Sequence, residues 1–154
     1  MELEPRLHKF IESHRVAHLA TVDAHGRPSV VPVCYAFING TFYSVIDEKP
    51  KTVRSSRLRR IENIRSNPNV ALVIDDYSED WQRLAYVHVR GRAAIIEPDA
   101  GDEYAAAIVA LRQKYPQYRS MKIEVQPMIR LVPENMRFWS AGSHENLPSG
   151  IVHT

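Results

Sequence analysis

One cysteine, Cys34, stands in a chain of 154 residues, so no intrachain disulfide and no multi-cysteine zinc site can be built. A solitary thiol fits a reducing compartment and reads as a small buried hydrophobe. No apolar run approaches the roughly 20 residues that a membrane helix needs. The opening MELEPRLHKF has no apolar signal-peptide core. A cytoplasmic protein with no membrane partner is the expectation. Charge of one sign is also scarce: 20 Lys and Arg against 18 Asp and Glu leave a net +2, too little for a nonspecific nucleic-acid coat. No glycine-rich loop of the Walker or dinucleotide type occurs, which disfavours a nucleotide held in a glycine cradle. With no GxSxG, no HExxH and no histidine next to Cys34, hydrolytic chemistry has no support.

What is present is ordinary globular material, 44% hydrophobic and 25% charged, without internal repeats. We read residues 1–140 as one domain and residues 141–154, polar and turn-rich, as a flexible tail. PRLHKFIESH has Leu7, Phe10 and Ile11 at helical spacing and predicts a short helix packed as a lid on a sheet. From Val16 the period changes to two. VAHLATVD and SVVPVCYAF flank the turn AHGRP, and Asn39-Gly40 is a strong hairpin signal leading into TFYSVID. Pro32 cannot donate a ladder bond, so it marks an edge, a bulge or a place where something other than a strand approaches.

A helix follows from about Arg54 to Ser66, with Leu58, Ile61 and Ile64 on one stripe and the arginines elsewhere. NVALVIDDY and RLAYVHVRGRAAIIEP read as strands, the second bent or bulged at Gly91. DAGDEYAAAIVALRQKY reads as a helix with acids near its positive end. KIEVQPMIRLVPENMRFWSA reads as one or two closing strands limited by Pro127 and Pro133. Consecutive hairpins exclude a doubly wound α/β sheet and predict a mainly β fold, a small antiparallel barrel with helices filling its gaps.

The sharpest chemical feature is basic. Lys49, Lys51, Arg54, Arg57, Arg59, Arg60 and Arg65 stand against a single acid, Glu62. A helix start offers free amides and a favourable dipole, and arginine forks suit phosphate oxygens; a solvated charged helix face has the same spacing. His18 and His88 lie in strands that could bring them together, and Asp75, Asp76, Glu79 and Asp80 form an acidic turn. Neither pattern predicts a metal site. Trp81, Tyr86, Phe138 and Trp139 near strand ends suit either core packing or stacking on a flat ligand. Basic residues with aromatics on a barrel also describe a single-stranded nucleic-acid binder, against which the low net charge counts.

Four segments in order, HLATVDAHGRPSVVPV, NGTFYSVID, RRIENIRSNPNVALVID and VRGRAAIIE, resemble the flavin-binding split-barrel proteins of the pyridoxamine 5'-phosphate oxidase-like superfamily. EKPKT, SEDWQ and LRQKYPQY are similar to segments of its coenzyme F-420-dependent oxidoreductase branch. The resemblance implies a six-stranded antiparallel split barrel and a homodimer with cofactor sites at the subunit interface. It likewise implies FMN or coenzyme F-420 as the cofactor, and a hydride transfer to or from an unidentified small molecule as the reaction.

Arg59 and Arg60 match the positions that grip the flavin phosphate in relatives. Pro32, Val33, Tyr43, Ser44 and Val45 match segments lining the ring, and Lys49, Lys51 and Thr52 match the loop near the phosphate or a longer tail. Trp81 is implied as a cover from the partner subunit. No catalytic residue is assigned, although His18 or Tyr43 could supply a proton. No counterpart of the arginine-containing C-terminal substrate motif of the pyridoxamine oxidases is present. A non-catalytic flavin, deazaflavin or haem carrier is the alternative on the same fold. On this reading, Arg59→Glu combined with Arg60→Glu abolishes cofactor retention in a folded protein, which gel filtration with FMN or F-420 followed by absorbance checks.

Overall fold

The stretch SVVPVCYAF does not run as one strand. It breaks at Cys34 and Tyr35 into two short strands that lie at opposite ends of the sheet. The computed structural model describes residues 3–47 and 54–142, with the side chains of 54–58 excepted. The elements run α1 (Pro5–Ser13), β1 (Ala17–Val22), β2 (Pro28–Val33), β3 (Ala36–Ile38), β4 (Thr41–Val45), α2 (Arg54–Ser66), β5 (Asn69–Asp76), β6 (Ala85–Ile96), α3 (Asp102–Lys114) and β7 (Met128–Ser140). Short 3-10 turns occupy Trp81–Arg83, Pro98–Ala100, Pro116–Ser120 and Ile123–Val125. Among the described residues seven strands, where six were expected, pair antiparallel in the order β2-β1-β5-β6-β7-β4-β3.

That order forces the sheet to curl. β2 and β3 are its two edges, yet three residue steps separate Val33 from Ala36, a span of at most about 11 Å. The edges therefore lie beside each other without pairing, and the barrel stays split there. The split is held by side chains. Tyr35 is fully buried; its amide donates to the Tyr115 hydroxyl at 3.0 Å and its own hydroxyl donates to the Ile11 carbonyl. Tyr115 in turn donates to the Arg15 carbonyl at 2.7 Å. The extra strand thus arises because the Tyr35 amide is satisfied by a tyrosine instead of a ladder partner.

Alternation divides the core in two. Leu7 and Ile11 of α1, Leu19, Phe42, Leu72, Val87, Leu131 and Ile61 fill the barrel interior, so the lid expected of the first helix is in place. Tyr43 and Val45 point to the other side of β4, where they pack with Tyr104, Ile108 and Leu111 of α3. Asn39 and Gly40 take φ of 50° and 77°, as a type I′ turn requires, in the hairpin that NG predicts.

Gly91 is the bulge expected from sequence. The β6–β7 register jumps from Arg90↔Asn135 to Gly91↔Pro133, leaving Glu134 as the extra residue. Pro133 therefore does not limit the closing strand. It sits at the bulge, where a missing N–H breaks no ladder bond, and β7 runs on as one strand to Ser140. A Cβ on Gly91 would lie 2.3 Å from the Val132 carbonyl oxygen and 3.0 Å from Pro133 Cα. We expect Gly91→Ala to lower stability by roughly 2–3 kcal/mol, measured by urea unfolding.

The tyrosine seam also carries a half-buried amine. Lys114 Nζ lies 3.7 Å from the centroid of the Tyr35 ring, and burial, with Arg15 nearby, holds its pKa down to about 8. Burial pushes Tyr35 up and Tyr115 up to about 12. Between pH 8 and the ordinary lysine value of 10.5 the unfolded chain keeps a proton that the folded chain has released, so stability rises with pH. Above the ordinary tyrosine value of 10.0 the unfolded chain loses protons that the folded chain keeps, so stability falls. Urea unfolding at stepped pH should show a maximum near pH 10, and Lys114→Met should remove the rise that precedes it.

Candidate functional site

A cleft of about 200 Å³ opens at the split, where β2 and β4 part. Pro32 and Val33 of β2 form one wall and Ser44 and Val45 of β4 the other, with Arg60 of α2 reaching in from the helix. Val16, Cys34, Asp47 and Tyr118 complete the lining. Five residues predicted from sequence, Pro32, Val33, Ser44, Val45 and Arg60, are thus brought together. Residues 44 and 45 both reach it, although they face opposite sides of β4, because the strand ends at the opening.

Arg60 is only 8% exposed, which excludes for this residue the alternative of a solvated helix face. It shares its burial with Ile61, Ile64 and Asn63, whose amide donates to Thr21 Oγ1 at 3.0 Å. Set in a cleft wall, that guanidinium offers a planar, charged fork suited to an anion. Tyr118, 4% exposed, donates its hydroxyl to Asp47 Oδ2 at 3.2 Å. Burial, then the neighbouring Cys34 and Asp47, raise its pKa, so the hydroxyl remains a donor throughout the working pH range.

The remaining predicted residues lie elsewhere. Arg59 follows the helical rotation of roughly 100° per residue and lines a different groove, about 630 Å³, between α2 and the β1–β2 turn with His25 and Arg27. Arg59 and Arg60 therefore do not face one space. Tyr43 lines neither; its hydroxyl donates to Glu103 at 2.8 Å on the α3 side, and burial with that carboxylate pushes its pKa up to about 12. Trp81 is 68% exposed and does not line its own chain's cleft. Lys49, Lys51 and Thr52, and the tail from residue 143, lie outside the described residues.

The histidines do not meet. Register places Val73 of β5 between His18 and His88, about 9–10 Å of sheet. His88 is driven down in pKa by burial, Arg90 and Arg137. The acidic turn is spent on structure: Asp76 takes a hydrogen bond from His14 at 2.5 Å and Asp80 caps the Gln82 amide at 3.2 Å. Phe138 packs edge-on against Phe10, while Tyr86 and Trp139 stack at 5.5 Å on the outer face. Among the described residues no cluster of three or more metal-ligating side chains occurs, and no helix is long and apolar enough to cross a membrane.

Sequence reasoning missed Val16, Cys34, Asp47 and Tyr118 as neighbours of the cleft. Cys34 and Asp47 adjoin predicted strands and were within reach of that argument. Tyr118 stands more than 70 positions from Asp47 in the chain and carried only the LRQKYPQY motif as a signal.

Solved structures share this fold at low identity. A conserved hypothetical protein of Mycobacterium tuberculosis is 23% identical, the match covering 100% of this chain and 94% of that one at a TM-score of 0.66. The heme storage protein HutZ of Vibrio cholerae is 20% identical over 91% of this chain and 95% of its own, also at 0.66. A FAD-binding protein of Mesorhizobium loti is 21% identical over 88% and 94%, at 0.64. No curated protein matches the sequence. A family profile described as pyridoxamine 5'-phosphate oxidase matches residues 3–140.

Proposed function

The chain belongs to the pyridoxamine 5'-phosphate oxidase family, and from that premise we propose that its cleft binds FMN or coenzyme F-420 and that it is an oxidoreductase acting on a small molecule. The observation that carries the reading is Arg60, a buried guanidinium in the wall of a cleft that an edge strand leaves open. The donor set fits such a group. Val33, Val45 and the ring of Pro32 offer apolar walls to a planar ring system, and Arg60 offers a planar fork to a phosphate. A bound flavin or deazaflavin supplies hydride transfer itself. The chain's share is to orient the ring, anchor its anion at Arg60 and keep water from the apolar walls. Lys49, Lys51 and Thr52 add contacts toward the phosphate or tail.

A homodimer belongs to this reading. The cleft's 200 Å³ falls below the roughly 300–1,000 Å³ of complete small-molecule sites, so a second copy would complete it. The outer face of the sheet is apolar where such a copy would lie: Val30 is 62% exposed, Val16 47%, and the Tyr86–Trp139 stack is open to solvent. Trp81 then serves the partner's cleft. The haem-carrier reading is supported by the name of the Vibrio cholerae neighbour, and would use Cys34 or Tyr118 as the iron ligand in this cleft.

Titration with FMN, F-420 and hemin separately decides, with two readouts: retention on gel filtration, and the reactivity of Cys34, the chain's single thiol. We expect FMN or F-420 to be retained and to protect Cys34. Arg60→Met should weaken binding about 10- to 100-fold, as the loss of a charge-assisted hydrogen bond does, whereas Arg59→Met should change it little. Retention of hemin alone would replace the oxidoreductase by the carrier, and retention of none would overturn both.

A further inference from the structure

The segment after α3 reaches back to the cleft by a fixed route. Arg112 ties it down, its Nε donating to the Tyr118 carbonyl at 3.2 Å and its Nη2 to the Met121 carbonyl at 3.0 Å and to Glu124 at 2.5 Å. Tyr118 packs edge-on against Tyr115, with ring centroids 5.5 Å apart and planes at 63°. Its ring is thus packed on Tyr115 while Arg112 holds its backbone, and its hydroxyl meets Asp47 and Cys34 at the cleft. Asp47 stands where the chain leaves the sheet: the Ile46 amide still donates to the Pro127 carbonyl at 3.0 Å, and β4 has already ended at Val45.

Resting on the cofactor reading above, we propose that Tyr118 is a positioning residue of the cofactor site. Its hydroxyl holds the Asp47 carboxylate and so fixes that side chain in the cleft wall just past the end of β4. Cofactor affinity then depends on a tyrosine that α3 delivers from a distant part of the sequence. A donor whose backbone is tied by Arg112 and whose ring packs on Tyr115 loses little entropy in making that bond, which is why a tyrosine there suits the task. The raised pKa keeps the proton in place for it.

The experiment uses the full chain with Tyr118→Phe, Asp47→Ala, the double variant and Tyr104→Phe. Tyr104 is the comparison because it is equally buried in the α3 cluster and hydrogen-bonds the Ile123 and Gln126 carbonyls, away from the cleft. Fluorescence titration gives Kd for FMN and F-420, and thermal unfolding without cofactor gives Tm. We expect Tyr118→Phe and Asp47→Ala each to weaken binding about tenfold, and the double variant to lose less than the two losses together, since they share one interaction. Cys34 should react faster in Tyr118→Phe, while Tyr104→Phe should lower Tm and leave Kd unchanged.

Additive losses, or an unchanged Kd in Tyr118→Phe, overturn the positioning role and leave the cofactor reading standing. Losses in Kd that follow Tm equally in Tyr118→Phe and Tyr104→Phe overturn it too. If Tyr118→Phe does not fold, Asp47→Ala decides, and an unchanged Kd there overturns the proposal. A wild-type chain that binds neither cofactor overturns this inference and the cofactor reading together.

Discussion

Two residues, Cys34 and Tyr35, connect strands that stand at opposite edges of a seven-stranded sheet, and the rest of the structure follows from how short that link is. The sheet must roll until its edges adjoin, yet the link carries no ladder bonds across them. The edges are held instead by Tyr115, which satisfies the Tyr35 amide and grips the Arg15 carbonyl, and by the Tyr35 hydroxyl on the end of α1. A split barrel is thus a barrel whose last seam is made of tyrosines, and the seam is where the cleft opens. Packing, polar satisfaction and the site have one cause.

The same seam explains why the cleft is chemically mixed. A closed barrel would fill this space with apolar side chains. Here the end of β4, the connector and the first residues of β1 face one another across a gap, and α2 lays Arg60 along it. Neighbouring positions on α2 serve different surroundings, with Arg59 toward an open polar groove and Arg60 toward the cleft. A charge count over that helix says nothing about this division, because it depends on the helix's rotation about its axis relative to the barrel.

Much of the scaffold was legible from residue patterns. The Asn39-Gly40 turn, the helix over 54–66, the bulge at Gly91 and the lid formed by Leu7 and Ile11 all rest on local rules of dihedral preference and periodicity. Where reading failed, the competing influence was not local. Pro133 looked like a stop, but opposite Gly91 its missing N–H is harmless. SVVPVCYAF looked like one strand, but a tyrosine 80 positions away takes the Tyr35 amide. Tyr43 lay on a strand matching the ring-lining segment, but alternation turns it toward α3 and Glu103.

Sequence by itself determined the class of fold, the hairpins, the helix positions and the presence of a basic segment before Asn67-Pro68, since each depends on residues within a few positions of one another. Only the tertiary structure decided which of those residues share a space. Arg60, Ser44, Val45, Pro32 and Tyr118 come from four separate stretches of chain, and their meeting depends on the curl of the sheet. That curl is set by a strand order and a two-residue link, quantities that no local pattern contains.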